Sequence, residues 1–167
     1  MKTGTRLVEL PVTTAAGEFT AHYSEKGLAE LNFPKVRRAS PRGVQPGVVS
    51  SQIRRWHRAT AVALKKILAG REPEDFPALD LVGTEFQKSV WNALRKIPLG
   101  KTKSYGEIAR AIDRPKAVRA VGGACGANSI PVLVPCHRVL AANRKLGGFS
   151  GGLAWKRKLL AREGISL

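Results

Sequence analysis

Ser104-Tyr105-Gly106-Glu107-Ile108-Ala109-Arg110-Ala111-Ile112 begins with a capping box, in which the serine and the glutamate three residues on each bond the other's backbone N–H and so start a helix. The helix runs through Ile112. After a tight turn, Pro115 suits the first position of a second helix reaching about Gly126, because its φ is already helical and its missing N–H would be unpaired there anyway. Helix, tight turn, helix is the layout of a helix-turn-helix. The second helix is unusually bare: Ala117, Ala120, Gly122, Gly123, Ala124 and Gly126 surround one long side chain, Arg119. Each interior glycine costs about 1 kcal/mol against alanine, so the bareness must serve something. Either this face packs closely inside the protein, or it enters a DNA minor groove about 6 Å wide, where longer side chains would not fit.

Upstream, Thr84-Glu85-Phe86-Gln87 is another capping box, opening a helix with Phe86, Val90, Trp91, Leu94 and Ile97 on its buried face and Pro98-Leu99-Gly100 as its stop. Downstream, the apolar run Ile130-Pro131-Val132-Leu133-Val134 reads as a strand that delivers Pro135-Cys136-His137-Arg138-Val139 to an edge. A cysteine of ordinary pKa, about 8.5, is mostly thiol at neutral pH and needs a cation, a helix N-terminus or a base to become a nucleophile. His137 and Arg138 offer two of these. Neighbours on a strand point to opposite faces, so His137 reaches the sulfur only if the chain turns here or a water bridges them. The competing reading is a buried structural cysteine beside a surface histidine.

Further on, Gly147, Gly148, Gly151 and Gly152 surround Phe149 and Ser150. As a phosphate cradle the stretch matches poorly, since neither nucleotide fingerprint is present; as a wall for a flat base it matches better, because glycine lets backbone approach a ligand. The last helix, Leu153 to Glu163, turns Leu159 and Leu160 inward and groups Lys156, Arg157 and Lys158, with Glu163 its only acid.

The first 80 residues carry no motif of this kind. Arg6 to Leu10, Glu18 to Tyr23 and Leu28 to Phe33 read as strands of a small antiparallel sheet, with Ser24-Glu25-Lys26-Gly27 as a turn. Residues 34–51 form a Pro-, Gly- and Arg-rich basic loop without periodicity. Ser51 then caps a helix from Gln52 to Ala69, whose stripe of Ile53, Trp56, Thr60, Ala63, Leu64 and Ile67 should pack on the sheet, with His57 an ordinary helix histidine. Arg71 to Val82 reads as a linker with a short edge strand. The division expected is an α/β unit over 1–82, sheet plus helix, and a mostly α unit over 83–167 holding the helix-turn-helix.

The 167 residues include 29 basic and 12 acidic side chains, net +17. Residues 1–80 hold 13 basic and 8 acidic (+5), and residues 81–167 hold 16 and 4 (+12), so the excess concentrates on the half with Cys136. That is the electrostatic footprint of a nucleic-acid binder. No signal peptide and no membrane-length apolar run is present, which points to a reducing cytoplasm and no membrane partner. In that compartment the two cysteines, Cys125 and Cys136, fit thiol chemistry better than a disulfide. Three histidines without paired spacing suggest no metal and no cofactor.

Around Cys136, Pro135-Cys136-His137-Arg138-Val139 resembles the active-site signature of the O6-alkylguanine-DNA alkyltransferases. The resemblance runs from Gly83 to Glu163, through Gly83-Thr84-Glu85-Phe86-Gln87, Ile97-Pro98-Leu99-Gly100, Ser104-Tyr105, Arg119-Ala120-Val121-Gly122, Asn128, Gly147 to Gly152, and Lys156 through Glu163. It implies a ribonuclease-H-like N-terminal domain and a winged-helix-like C-terminal one. It implies DNA repair by a single, stoichiometric, irreversible transfer of an alkyl group from guanine O6, and from thymine O4, to Cys136, with the damaged nucleotide flipped out through the minor groove. The partner would be double-stranded DNA carrying O6-alkylguanine, bound by a monomer in the cytoplasm, on the nucleoid, with clustering on DNA left open.

The resemblance also assigns roles. His137 is the base, through a bridging water, and Glu163 orients it. Tyr105 donates to guanine N3 and the Ser150 N–H serves O6, while the carbonyls of Cys136 and Val139 take the exocyclic amine. Asn128 ties the recognition helix to the active-site turn, and Phe149 and Lys156 complete the substrate site. Ser104, Ala120, Gly122 and Gly123 meet DNA, and Arg119 fills the gap left by the flipped nucleotide. Asp113 departs from the family, standing where a glycine commonly ends the first helix of the pair, as does Ser129 at a usual proline. Two other classes compete. A Cys-His hydrolase predicts turnover and leaves the bare helix unexplained, and a non-catalytic lesion binder would lack the cysteine.

Overall fold

The computed structural model describes residues 6–35, 42–44 and 48–167. Strands β1 (Val8–Thr14), β2 (Gly17–Tyr23) and β3 (Leu28–Asn32) form an antiparallel sheet in that order. The first strand lies later than the expected Arg6 to Leu10, because Val12 pairs with Phe19 and both face the core. Helix α1 (Ser51–Leu68) packs on the sheet through Thr60, Ala63, Leu64 and Ile67. Its cap is Ser50 rather than Ser51: the Ser50 side chain accepts from the Ile53 N–H. His57 is structural, its Nδ1 2.9 Å from the Tyr23 hydroxyl, which in turn donates to Thr60 Oγ1. Residues 36–41 and 45–47 of the basic loop lie outside the described residues; beyond them, the Leu7 N–H donates to the Gly43 carbonyl and Arg42 pairs with Asp80 at 3.1 Å. The expected edge strand after α1 reduces to one bridge between Leu28 and Leu79.

Both capping boxes form. Thr84 and Gln87 open α2 (Glu85–Leu94), and Ser104 and Glu107 open α3 (Tyr105–Ala111). Helix α2 stops at Leu94, short of the Pro98-Leu99-Gly100 expected to end it. Helix α4 (Val118–Gly126) starts three residues later than Pro115. The cause is Asp113, at φ +58, which bends the chain out of the helix and leaves Pro115 and Lys116 in a turn. Helices α2, α3 and α4 pack on one another, and Trp91 Nε1 of α2 donates to the Ala124 carbonyl at 2.8 Å, fixing the back of α4.

The run Ile130 to Val134 is a buried turn rather than a strand. The Val134 N–H donates to the Ile130 carbonyl, and Val132 takes φ +74, which strains a β-branched residue. Asn128 imposes the turn by accepting from the Ile130 N–H and donating to the Val134 carbonyl, both at 2.9 Å. Beyond a 3-10 turn at Cys136–Arg138, strand β5 (Val139–Leu140) pairs in parallel with β4 (Lys103–Ser104), so the start of α3 lies beside the chain leaving Cys136. Helix α5 (Leu153–Arg162) ends with Glu163 as its C-cap. One core joins the sheet to the helices, from Val12 and Phe19 to Val90, Trp91, Leu94 and Val134, and the Leu31 N–H of β3 donates to the Ser129 carbonyl. No helix among the described residues is long and apolar enough to cross a membrane.

Candidate active site

Cys136 lies in the 3-10 turn, so the chain turns where the strand reading required opposite faces for Cys136 and His137. The thiol is 4 % exposed and lines a cavity of about 360 Å³ with Tyr105, Gly122, Cys125, Gly126, Gly148, Phe149 and Ser150. Helix α4 thus forms one wall and the Gly147–Gly152 loop another. A cavity of this size suits a base-sized ligand. A larger cleft, about 510 Å³ between Phe76, Asn92, Arg95, Lys96 and Leu133, is lined by no thiol, imidazole or carboxylate.

Burial pushes the Cys136 thiol up to about 11, against a hydrogen bond from Asn128 and the charge of Lys156, which pull it down. At rest the sulfur is therefore a thiol and requires a base. His137 is fully buried, with Nε2 2.9 Å from Glu163 Oε1 and Nδ1 without a hydrogen-bond partner among the described residues. Burial lowers the His137 pKa, Glu163 raises it, and Arg138 and Lys156 lower it again, so the ring is neutral at pH 7. With Nε2–H directed at Glu163, the lone pair is left on Nδ1.

Glu163 itself is held ionised. Burial alone would raise its pKa, but bonds from His137 and Arg138, together with their charge, bring it to about 2. Arg138 donates through Nε and Nη2 to both carboxylate oxygens (2.9 to 3.2 Å) and through Nη1 to the Ile97 carbonyl at 2.7 Å. The buried guanidinium, offered by the sequence as a cation for the thiol, instead holds Glu163, a role that sequence reasoning passed over. Its signal was a charged residue directly after Cys136-His137, but the partners lie 25 and 41 positions away.

Lys156, expected at the substrate, is fully buried, and its ammonium donates to the carbonyls of Val139 (2.7 Å), Leu146 and Gly148 (3.2 Å). All three donors are spent on backbone, so the side chain fastens the glycine loop to the chain after Cys136. The Tyr105 hydroxyl, pushed up by burial and by the two cysteines, engages the Gly148 backbone. Cys125, raised to about 12 by burial and by its neighbour Cys136, shares the cavity, and both thiols are free.

On α4, Val121, Ala124 and Cys125 face inward, whereas Arg119, Ala120, Gly123 and Gly126 are exposed and Gly122 is half-buried. A Cβ added at Gly122, Gly123 or Gly126 would meet nothing within 4 Å. Close packing inside the protein therefore does not account for the bareness.

Residues 85–165 match the family model described as 6-O-methylguanine DNA methyltransferase, DNA binding domain. A methylated-DNA–protein-cysteine methyltransferase of Methanosarcina acetivorans is 45% identical over 84% of this chain and 87% of its own length. The chain belongs to the methylated-DNA–protein-cysteine methyltransferase family. Among solved members, the O6-methylguanine methyltransferase of Mycobacterium tuberculosis is 38% identical and superposes with a TM-score of 0.77 over 94% of this chain and 92% of that one. The same organism's protein crystallised in complex with DNA gives 37%, 0.75, 95% and 92%. The family match at residues 85–165 includes the whole group built here around Cys136. The sheet and α1 lie before it.

Proposed function

We propose that this methyltransferase repairs DNA by moving an alkyl group from guanine O6, and from thymine O4, to Cys136, once per molecule. The observation that carries this reading is a thiol at the edge of a base-sized cavity, beside a buried imidazole whose free nitrogen is selected by an ionised carboxylate. On this reading His137 Nδ1 takes the Cys136 proton through a bridging water. The sulfur then bonds to the alkyl carbon as the carbon–O6 bond breaks. The electron pair leaves with guanine, whose charge is met by the Tyr105 hydroxyl at N3 and the Ser150 N–H at O6. The thioether has no easy leaving group, so the protein is consumed.

Residues 83–167 would be the DNA-binding and acceptor unit and residues 1–82 its support. The bare face of α4 fits the floor of a minor groove, and the damaged nucleotide would be extruded past Arg119 into the cavity, at a cost of a few kcal/mol. Incubating the protein with a duplex holding one O6-methylguanine tests this: guanine should be restored, with one methyl gained per chain and no second turnover. Restoration beyond one equivalent would indicate a catalyst with a hydrolysable intermediate. Tight binding without methyl transfer would indicate a lesion binder.

A further inference from the structure

The glycine loop does not stand on its own half of the molecule. Phe33, just past β3, is 4 % exposed and forms an aromatic cluster with Phe19 (centroids 5.5 Å apart), Trp155 of α5 (4.9 Å) and Phe149 (5.7 Å, rings at 73°). Phe149 thus lines the cavity and also packs in a T-shaped pair with the Phe33 ring. Two residues on, a Cβ at Gly151 would stand 2.5 Å from Phe33 Cε2, 2.8 Å from Cδ2 and 3.0 Å from Cζ. Gly151 does not have a positive φ. The ring itself is what excludes a side chain there.

We infer that Phe33 is a positioning residue for alkyl selectivity: through Phe149 and Gly151 it sets how far the Gly148-Phe149-Ser150 wall stands from Cys136. The inference rests on the proposed alkyl transfer and extends it to a residue outside the stretch that matches the family model. The wall is fixed at one end by the Lys156 bonds to Leu146 and Gly148. At the other the Phe149 carbonyl accepts from the Gly152 N–H at 3.0 Å, and the wall leans on the Phe33 ring. A leucine at position 33 keeps a Cδ but lacks the Cε2 and Cζ that stand against Gly151, so the wall can settle outward and the cavity widen. A small substrate then loses placement at the sulfur, where about 1 Å of misplacement costs up to a hundredfold in rate. A bulky one tolerates the change or gains from it.

The test uses the whole 167-residue chain and two duplexes, one with O6-methylguanine and one with O6-benzylguanine, and reads single-turnover rates, duplex affinity and thermal midpoint. Phe33→Leu should raise the benzyl-to-methyl rate ratio by about tenfold while duplex affinity stays unchanged; tenfold corresponds to about 1.4 kcal/mol. Gly151→Ala should cut both rates by driving Cβ against the ring, and adding Phe33→Leu should restore most of the loss, a coupling expected only of residues in contact. A lowered midpoint with an unchanged ratio would show Phe33 to be mere core and overturn the inference. So would Gly151→Ala being equally harmful with and without Phe33→Leu. Should Phe33→Leu fail to fold, Gly151→Ala alone decides: an unaltered benzyl-to-methyl ratio and unaltered rates contradict the contact. If the wild type transfers no alkyl group to Cys136, it is the parent reading that has failed.

Discussion

Two glycine-rich regions face each other across the cavity, and their glycines have opposite reasons. In α4, a Cβ at Gly122, Gly123 or Gly126 would touch nothing. In the loop, Gly147 has φ +67 and would put a Cβ 3.0 Å from the Tyr105 hydroxyl, and Gly151 lies on the Phe33 ring. Gly147 and Gly151 of the loop are required by the protein's own packing, whereas the helix glycines cost the protein stability and are explained only by something outside it. A glycine with no internal reason marks the surface of a partner, and one crowded by its neighbours marks a built wall.

The largest effect is expected where the two regions meet the reactive group. Glu163→Gln keeps the shape but leaves Arg138 without its counter-charge and His137 without support for the imidazolium. Stability should fall by about 3 kcal/mol, and transfer should slow. The wild-type pKa is depressed, so the stabilisation from Glu163 is complete above the ordinary carboxylate range and disappears as pH falls toward about 2. Chemical denaturation at stepped pH should show the gap between wild type and variant closing in that window; a gap constant with pH would deny Glu163 its charge. In the rate, the acid limb should lie below the ordinary imidazole value of about 6.5, because burial lowers the His137 pKa.

Next comes the loop. Gly147→Ala forces an alanine into a left-handed conformation against Tyr105, and transfer to free O6-benzylguanine should fall about a hundredfold. On the helix, Arg119→Ala should lower reaction with a lesion in duplex DNA by about tenfold to a hundredfold, since extrusion costs a few kcal/mol, and leave reaction with the free base unchanged. Equal losses on both substrates would place Arg119 in the fold rather than at the DNA. The sharpest contrast with Gly147 is Gly123→Ala. It should stabilise the protein by about 1 kcal/mol in a melt while weakening duplex binding; stabilisation with unchanged binding would take α4 out of the groove. Smallest is Asp113→Gly, which relieves a positive φ and should add about 0.5–1 kcal/mol.

What was legible in the chain follows the range of the forces involved. Both capping boxes could be read because serine or threonine and the residue three positions on bond each other's backbone. The turn at Ile130 to Val134 could not, because an apolar run reads as strand unless one knows that Asn128 closes it from outside. Nor does propensity place a valine at positive φ. The late start of α4 hangs on the backbone of one residue, Asp113. In the site, Cys136 and His137 stood out by adjacency, but Glu163 was attached to them by family resemblance and not by anything local. Arg138 and Phe33 act through partners far off in sequence, Ile97 and Glu163 for one and Phe149 and Gly151 for the other, so their roles emerge only from the fold.

The most direct measurement is peptide mapping of the protein after reaction with O6-benzylguanine, scored at both thiols in the cavity. Burial pushes both thiols up and Lys156 draws both down, but Cys136 also has the Asn128 hydrogen bond and the His137–Glu163 pair to favour its thiolate. The account predicts one benzyl group per chain, on Cys136, and no adduct in Cys136→Ser. An adduct chiefly on Cys125, or one that persists in Cys136→Ser, would contradict it.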